Sequence, residues 1–86
     1  MITIFSKDYC PYCAAAKDLL KSLGAKFSEI DITNDDEKMI EISRISGMRT
    51  VPQIYVGEIT KENCLGGYSD IAKLHEEGKL IEKIKQ

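Results

Sequence analysis

Two cysteines separated by two residues, Cys10 and Cys13, are the residues of this chain best suited to chemistry. Such a pair can close a small disulfide or hold a metal ion, and its surroundings decide between the two. A structural zinc site needs a second pair of ligands at short spacing, which Cys64 and His75 do not provide. The spacing therefore favours a redox-active dithiol, and we expect no metal in this protein.

The pair lies where a strand is predicted to end and a helix to begin. Residues 2–5 are apolar or β-branched, and the residues after Cys13 are strong helix formers. Pro11 suits the first helical position, because an N–H would be unpaired there in any case. The free N–H groups and the helix dipole at this turn favour a thiolate at Cys10, the predicted nucleophile. Cys13 lies one turn further on and is expected to be more buried. It suits the role of the resolving thiol, which attacks a mixed disulfide at Cys10.

Hydrophobic periodicity predicts four strands, three helices and one short helical piece. The strands are predicted at residues 1–5, 27–32, 51–56 and within 59–65. The helices are predicted at residues 11–23, from a cap at Asn34 to Gly47, from near Ser69 onwards, and as a short piece at 80–84.

This order, β-α-β-α-β-β-α, predicts an α/β fold. The first strand-helix-strand unit should have a right-handed crossover and two parallel strands. The third and fourth strands are joined too closely for a crossover, so they should form a hairpin. The simplest arrangement is a four-stranded mixed sheet with helices on both faces.

The composition limits the class of protein. The chain has 86 residues, 43% of them hydrophobic and 30% charged, which is typical of one soluble domain spanning residues 1–86. The net charge of −2 and the lack of a basic patch argue against nucleic acid as a partner. No apolar run is long enough to span a membrane, and we expect no signal peptide. An odd number of cysteines, three, indicates the cytoplasm.

Three segments, in this order, strongly resemble a dithiol glutaredoxin of the thioredoxin-fold family: Cys10-Pro11-Tyr12-Cys13, Thr50-Val51-Pro52 and Gly66-Gly67-Tyr68-Ser69-Asp70. The resemblance extends over essentially the whole chain. It implies a thioredoxin-like fold, with glutathione as the co-substrate that reduces protein disulfides and glutathione mixed disulfides. It further implies that Pro52 is cis and that the backbone of Val51 faces the active sulfur.

The resemblance also implies a binding mode for glutathione. The N–H and C=O of Val51 would pair with its cysteinyl unit, and N–H groups at the start of the last helix would hold its γ-glutamyl carboxylate. Asp70 would pair with the amino group, Lys7 would attract the glycyl carboxylate, and Tyr12 would pack beside the tripeptide. The predicted glutathione-binding residues are Lys7, Tyr12, Thr50, Val51, Pro52, Gly67, Tyr68, Ser69 and Asp70.

Several of these residues also have a purely structural interpretation. Ser69 could cap the last helix, and Asp70 could complement its dipole without a ligand. Pro52 could open an edge strand in the trans form. Lys7 could be a solvated surface residue, and for Arg49 we favour that interpretation over a contact with a glutathione carboxylate.

Residues 57–65 depart from the family pattern, because this connection is longer than usual. The extra length predicts an extended hairpin, which could alter how protein substrates dock. Cys64 lies in this connection and is interpreted as a small apolar filler rather than a redox group.

The leading functional interpretation is a monomeric enzyme that acts on disulfide-containing or glutathionylated proteins, with ribonucleotide reductase as one candidate. One alternative is a glutaredoxin-like protein recharged by thioredoxin reductase. A less favoured alternative is a module that carries a [2Fe–2S] cluster between two subunits. Relatives with that role typically have CGFS where this chain has CPYC, and Cys13 can withdraw Cys10 from cluster binding by pairing with it in a disulfide. His75 is given no catalytic role, because an ionised Cys10 needs no separate base.

Overall fold

Four strands and four helices lie within residues 1–84, the part of the chain that the computed structural model describes. The strands are β1 (Ile2–Ser6), β2 (Phe27–Asp31), β3 (Gln53–Val56) and β4 (Cys64–Gly66). The helices are α1 (Pro11–Ser22), α2 (Asp36–Ser46), α3 (Tyr68–Glu76) and α4 (Leu80–Ile84). This confirms the predicted order, with α4 as the short final piece. Over the same residues, no helix is both long and apolar enough to cross a membrane.

The strands form one mixed sheet in the order β2-β1-β3-β4. β1 runs parallel to β2, as the strand-helix-strand unit predicts, and antiparallel to β3. β3 and β4 form the predicted antiparallel hairpin, with an irregular register between Ile54 and Tyr55. The pairs Phe5↔Gln53 and Ile54↔Gly66 place the end of β1, the start of β3 and the end of β4 at one end of the sheet.

Helices cover both faces of the sheet, as predicted. Alternate side chains of a strand point to opposite faces, so β1 and β3 contribute to two separate cores. The core on the side of α1, α3 and α4 contains Ile2, Ile4, Ala16, Leu20, Ile54, Val56, Ile71 and Leu80. The core on the side of α2 contains Phe5, Ile32, Ile42 and Tyr55. In the second core the rings of Phe5 and Tyr55 meet edge to face, with centroids 5.7 Å apart.

Two helix caps differ from the prediction. Asp35 caps α2 in place of Asn34, because its carboxylate accepts the N–H of Lys38 at 3.0 Å. The two residue types cap helices about equally well, so residue type alone could not separate these neighbours. Gly67 is the N-cap of α3, so Ser69 lies inside the first turn and is not the cap.

The connection between β3 and β4 does not extend the hairpin, contrary to the prediction. β4 has only 3 residues, and residues 57–63 form a compact turn. The Asn63 side chain donates to the carbonyl of Glu58 at 3.0 Å, while the Asn63 carbonyl accepts the N–H of Val56 at 3.0 Å. These bonds fold the extra residues onto themselves, and the fourth strand therefore begins late in the predicted range.

The two sides of α2 allow a matched test of this packing. Ile42 is 1% exposed and Ile40 is 54% exposed in the same helix. We expect Ile42→Ala to lower the free energy of unfolding by about 2–5 kcal/mol, because it leaves a cavity between α2 and the sheet. Ile40→Ala should change it by less than about 0.5 kcal/mol, because that side chain is mostly in water. Urea denaturation measures both values, and equal losses would contradict this orientation of α2.

Candidate active site

Cys10 is the N-cap residue of α1, at the strand-to-helix junction that the sequence predicts. Its backbone is extended, with φ −111° and ψ 98°, and Pro11 takes the first helical position. The Cys10 Sγ accepts the N–H of Cys13 at 3.1 Å, so the sulfur stands where a capping oxygen would usually be. This donor and the positive end of the helix dipole stabilise negative charge on the sulfur.

A disulfide joins Cys10 and Cys13. Cys13 is 1% exposed and faces the interior, whereas Cys10 is partly exposed. A substrate from solution can therefore reach Cys10, while Cys13 can react only with a sulfur already held at Cys10. This difference in access is consistent with the predicted roles of nucleophile and resolving thiol.

The Val51–Pro52 peptide bond is cis, as the resemblance implies. The Cys10 Sγ lies 3.9 Å from the carbonyl oxygen of Val51, so the backbone at this position faces the sulfur. Pro52 is buried, and β3 begins only after it, two residues later than predicted. The backbone of Val51 is thus outside the sheet ladder and available to a ligand that lies beside the sulfur.

Gln53 anchors the loop that carries this cis bond. Its side chain is fully buried, and its Nε2 donates to the carbonyls of Met48 and Thr50, each at 3.0 Å. The hydroxyl of Tyr55 donates to Gln53 Oε1 at 2.9 Å. Burial, reinforced by the nearby Cys64, raises the pKa of Tyr55 to about 12, so this hydroxyl keeps its proton at neutral pH. This anchor was not predicted from the sequence, although an amide within an apolar strand is a signal for it.

Gly66 and Gly67 allow the end of β4 to approach this loop closely. Gly66 has φ +99°, and a Cβ there would collide with the carboxylate of Asp70. A Cβ on Gly67 would come within 3.3 Å of the carbonyl oxygen of Pro52. Asp70 Oδ2 accepts the N–H of Gly67 at 2.8 Å, which satisfies one donor at the start of α3.

The cis-proline loop and the starts of α1 and α3 enclose a groove of about 380 Å³. The rings of Tyr12 and Tyr68 stack with centroids 6.0 Å apart and connect the two helix starts. The first N–H groups of α3 have no partner within the helix and can bind an anion. The residues that line the groove are Tyr12, Met48, Thr50, Val51, Pro52, Gly67, Tyr68, Ser69 and Asp70.

The groove therefore brings together every predicted glutathione-binding residue except Lys7. Lys7 lies on the other side of Cys10, in a second groove of about 530 Å³ that also includes Cys13. Met48 was missed, because nothing in its type or spacing marks it as a ligand-binding residue. It is placed by the loop between α2 and β3, a tertiary effect that the local sequence does not encode.

Three polar residues in the second groove were also missed. Glu29 Oε2 accepts the hydroxyl of Ser6 at 2.7 Å and forms an ion pair with Lys17 Nζ at 2.8 Å. The bond to Lys17, followed by that to Ser6, lowers the pKa of Glu29, so this carboxylate is ionised at neutral pH. The position of Lys17 one turn after Cys13 is the signal that could have identified it.

The other residues singled out in the sequence lie outside both grooves. Cys64 is a partly buried free thiol that packs against the core on the side of α2, opposite Tyr55 on β3. Arg49 and His75 are exposed. Among the residues that the structure describes, no group of three His, Cys, Asp or Glu side chains is arranged to hold a metal.

Comparisons with known proteins agree on one family. The family model described as Glutaredoxin matches residues 2–59. Glutaredoxin-C2 of Arabidopsis thaliana is 40% identical over 83 residues, which cover 93% of this chain and 71% of that protein. The solved structure of a buckwheat glutaredoxin-glutathione complex has a TM-score of 0.85 at 29% identity, covering 96% of this chain and 74% of that one. The solution structure of glutaredoxin from Brucella melitensis has a TM-score of 0.83 at 40% identity, covering 98% and 87%. The fold is thus the thioredoxin-like fold of these structures.

Two glycines with positive φ provide a test of the approach between β4 and α3. Nothing lies within 4 Å of a Cβ on Gly24, so Gly24→Ala should cost only the strained backbone, about 1–2 kcal/mol. Gly66→Ala should cost about 2–5 kcal/mol, because the collision with Asp70 adds to the strain. Chemical denaturation of both variants measures the difference. Losses of equal size would mean that Asp70 is not held against Gly66.

Proposed function

Because this chain belongs to the glutaredoxin family of thiol-disulfide oxidoreductases, we propose that glutathione binds in the 380 Å³ groove and serves as its reducing co-substrate. The observation that carries the proposal is the convergence of three distant segments in this groove: the start of α1, the cis-proline loop and the start of α3. The cis-proline loop brings the groove next to Cys10, because the Val51 carbonyl oxygen lies 3.9 Å from the Cys10 Sγ. A groove open to solvent beside a reactive sulfur suits a small ligand with its own thiol.

The cysteinyl unit of glutathione lies, in this proposal, along Val51. The Val51 carbonyl is 3.9 Å from the Cys10 Sγ, so a ligand that pairs with this backbone brings its own sulfur next to Cys10. Backbone pairing of this kind resembles the addition of a short strand. It holds the ligand through main-chain hydrogen bonds, which do not depend on the side chain at position 51. Tyr12, which is 65% exposed, can cover the ligand from the side of α1.

The γ-glutamyl end lies at the start of α3. Its carboxylate can accept the free N–H groups of Tyr68 and Ser69 and benefits from the positive end of the helix dipole. Asp70 uses one oxygen for the N–H of Gly67, which leaves the other for the amino group of the ligand. The same carboxylate can thus stabilise the turn and bind the amino group of the ligand, so the structural and binding interpretations of Asp70 are compatible.

Lys7 is proposed to attract the glycyl carboxylate through its charge. Its partly buried position beside Cys10, in the second groove, supports a long-range role rather than one in the wall of the binding groove. A positive charge there also favours the thiolate form of Cys10.

The reaction follows from these positions. The Cys10 thiolate attacks the glutathione sulfur of a mixed disulfide, the sulfur-sulfur bond breaks, and the protein substrate leaves as a thiolate that takes up a proton. A second glutathione thiolate then attacks glutathione bound to Cys10, which yields oxidised glutathione and regenerates the Cys10 thiolate. With a protein disulfide as substrate, Cys13 attacks Cys10 instead, and two glutathione molecules later reduce the Cys10–Cys13 disulfide.

The substrates are proposed to be disulfide-containing and glutathionylated proteins, with ribonucleotide reductase as one candidate, and the protein is proposed to act as a monomer in the cytoplasm. The free thiol of Cys64 supports a reducing compartment. Cell fractionation and gel filtration of the purified protein test the location and the oligomeric state.

Cysteine variants separate the roles of the thiols. Cys10→Ser should reduce deglutathionylation to background, because the remaining thiol of the pair, Cys13, is buried. Cys13→Ser should keep most of this activity and lose reduction of protein disulfides. Cys64→Ser is the matched control and should keep both activities, because its thiol lies outside both grooves. Activity in Cys10→Ser would contradict the mechanism.

The reductant is identified in the same assay. Glutathione with glutathione reductase should sustain turnover of the wild-type protein, and thioredoxin reductase should not. Turnover with thioredoxin reductase alone would show that glutathione is not the reductant.

Asp70→Asn tests the site proposed for the γ-glutamyl end. An amide can still accept the N–H of Gly67, but it cannot balance the charge of the glutathione amino group. We expect the KM for glutathione to rise about threefold to tenfold, with a smaller change in kcat. Asp36→Asn, in the first turn of α2, is the control and should leave KM unchanged. Equal KM values for the two variants would exclude this role of Asp70.

A further inference from the structure

The polar residues behind Cys13 have no part in the reaction described so far. Ser6, Lys17 and Glu29 line the second groove, on the side of Cys10 away from the proposed glutathione site. We propose that the Lys17–Glu29 ion pair sets the electrostatic field behind Cys13 and so controls the rate at which Cys13 attacks a mixed disulfide at Cys10. The inference rests on the proposed function, since it concerns the second step of that reaction.

The fold places this pair on the side of the sheet where Cys13 is buried. Cys13 and Lys17 are four residues apart on α1, so their side chains are neighbours on one helix face. On β1, Ile4 belongs to the core under α1, and Ser6 points the same way, two residues further along. Glu29 is the partner of Ile4 in the β1–β2 ladder, so its side chain rises from the same face.

The geometry of the pair is fixed by two bonds to one atom. Glu29 Oε2 accepts both the Ser6 hydroxyl and the Lys17 ammonium group. Ser6 is 2% exposed, and its hydrogen bond anchors the Glu29 carboxylate to the end of β1. The side chains of Lys17 and Glu29 are 27% and 39% exposed, so water screens them less than it screens a fully exposed pair. Both side chains line the same groove as Cys13, so their charges can act on its sulfur.

The opposite charges of Lys17 and Glu29, which line the same groove as Cys13, offset one another in part at its sulfur. Removal of one partner leaves the other uncompensated, so the two removals should have opposite effects on the Cys13 thiolate. The other titratable groups around Cys10 and Cys13 are the same in all variants. Those in the same groove are Lys7, Asp8, Tyr9, Cys10 and Asp31, and those in the opposite groove, towards α3, are Tyr12, Tyr68 and Asp70.

The step under control is balanced in atoms and electrons. The Cys13 thiol gives its proton to water, and its thiolate attacks the Cys10 Sγ of the mixed disulfide with glutathione. The bond between Cys10 and the glutathione sulfur breaks as the Cys10–Cys13 bond forms. The Cys13 sulfur is oxidised, the glutathione sulfur is reduced, and glutathione leaves as a thiolate that takes a proton from water. The Lys17 ammonium group favours this step because it stabilises the thiolate of Cys13, and Glu29 moderates that effect.

The experiment follows the two steps separately. Reduced protein is mixed with oxidised glutathione, quenched with acid at short times and analysed by mass spectrometry for the glutathione adduct. Formation of the adduct depends on the concentration of oxidised glutathione and reports attack by Cys10. Its decay at a rate independent of that concentration reports attack by Cys13. Lys17→Met keeps the apolar stem of the side chain, and Glu29→Gln keeps its length and one hydrogen-bond acceptor.

We expect the decay of the adduct at neutral pH to be about threefold slower in Lys17→Met and about threefold faster in Glu29→Gln. A change of one unit in the pKa of Cys13 changes its thiolate fraction about tenfold. The nucleophilicity of the thiolate changes in the opposite direction, so the effect on the rate is smaller than about tenfold. The midpoint of the pH–rate profile should move up in Lys17→Met and down in Glu29→Gln. The double variant should return to the wild-type rate within about twofold.

Opposite shifts in the two single variants support the proposal, because a purely structural ion pair would affect both in the same direction. Equal or parallel changes in the decay rate would overturn it. Thermal melting identifies any variant that does not fold. The direction of the change in the decay rate of the other single variant then still tests the proposal. If the wild-type protein forms no adduct at all, the proposed function fails instead, so the two failures are distinguishable.

Discussion

The antiparallel pairing of β1 with β3 is the constraint on which the site depends. Because Phe5 pairs with Gln53, the end of β1 and the start of β3 lie at the same end of the sheet. The chain leaves β1 towards Cys10 and enters β3 from the cis bond, so this register brings Val51 to a sulfur 41 residues away in sequence. The pairing of β3 with β4 adds the third segment, which ends at Gly66. A register slip of one residue would turn the side chains of β3 to the wrong faces and displace the loop.

Much of the fold could be predicted, because its signals are local. The strand before the dithiol, the helix after it and the parallel crossover follow from residues close together in sequence. The errors arose where local signals are degenerate or absent. Asn34 and Asp35 are equivalent caps by type, and the partners of the buried Gln53 amide come from another loop. Met48 and Lys7 were placed by tertiary packing, which assigns them to different sides of Cys10.

Cys10 thus separates two chemically different surroundings. On one side lie backbone groups and a helix start that form the proposed site for glutathione. On the other side lie the buried Cys13 and the charges of Lys17 and Glu29. One sulfur can in this way exchange with a ligand from solution and with a thiol inside the protein, and neither partner needs to occupy the space of the other.

The hydrogen bond from the Cys13 N–H to the Cys10 Sγ has a further consequence, because it belongs both to a helix cap and to the reacting group. A thiolate accepts such a bond more strongly than a disulfide sulfur does, since the bond is then assisted by charge. This hydrogen bond is therefore stronger in the reduced protein. In a thermodynamic cycle, any stability that reduction adds to the fold raises the reduction potential by the matching amount, about 30 mV for each 1.4 kcal/mol. The stability of the helix cap and the reduction potential of the Cys10–Cys13 disulfide thus both depend on this one hydrogen bond. A substitution that changes one of them changes the other as well.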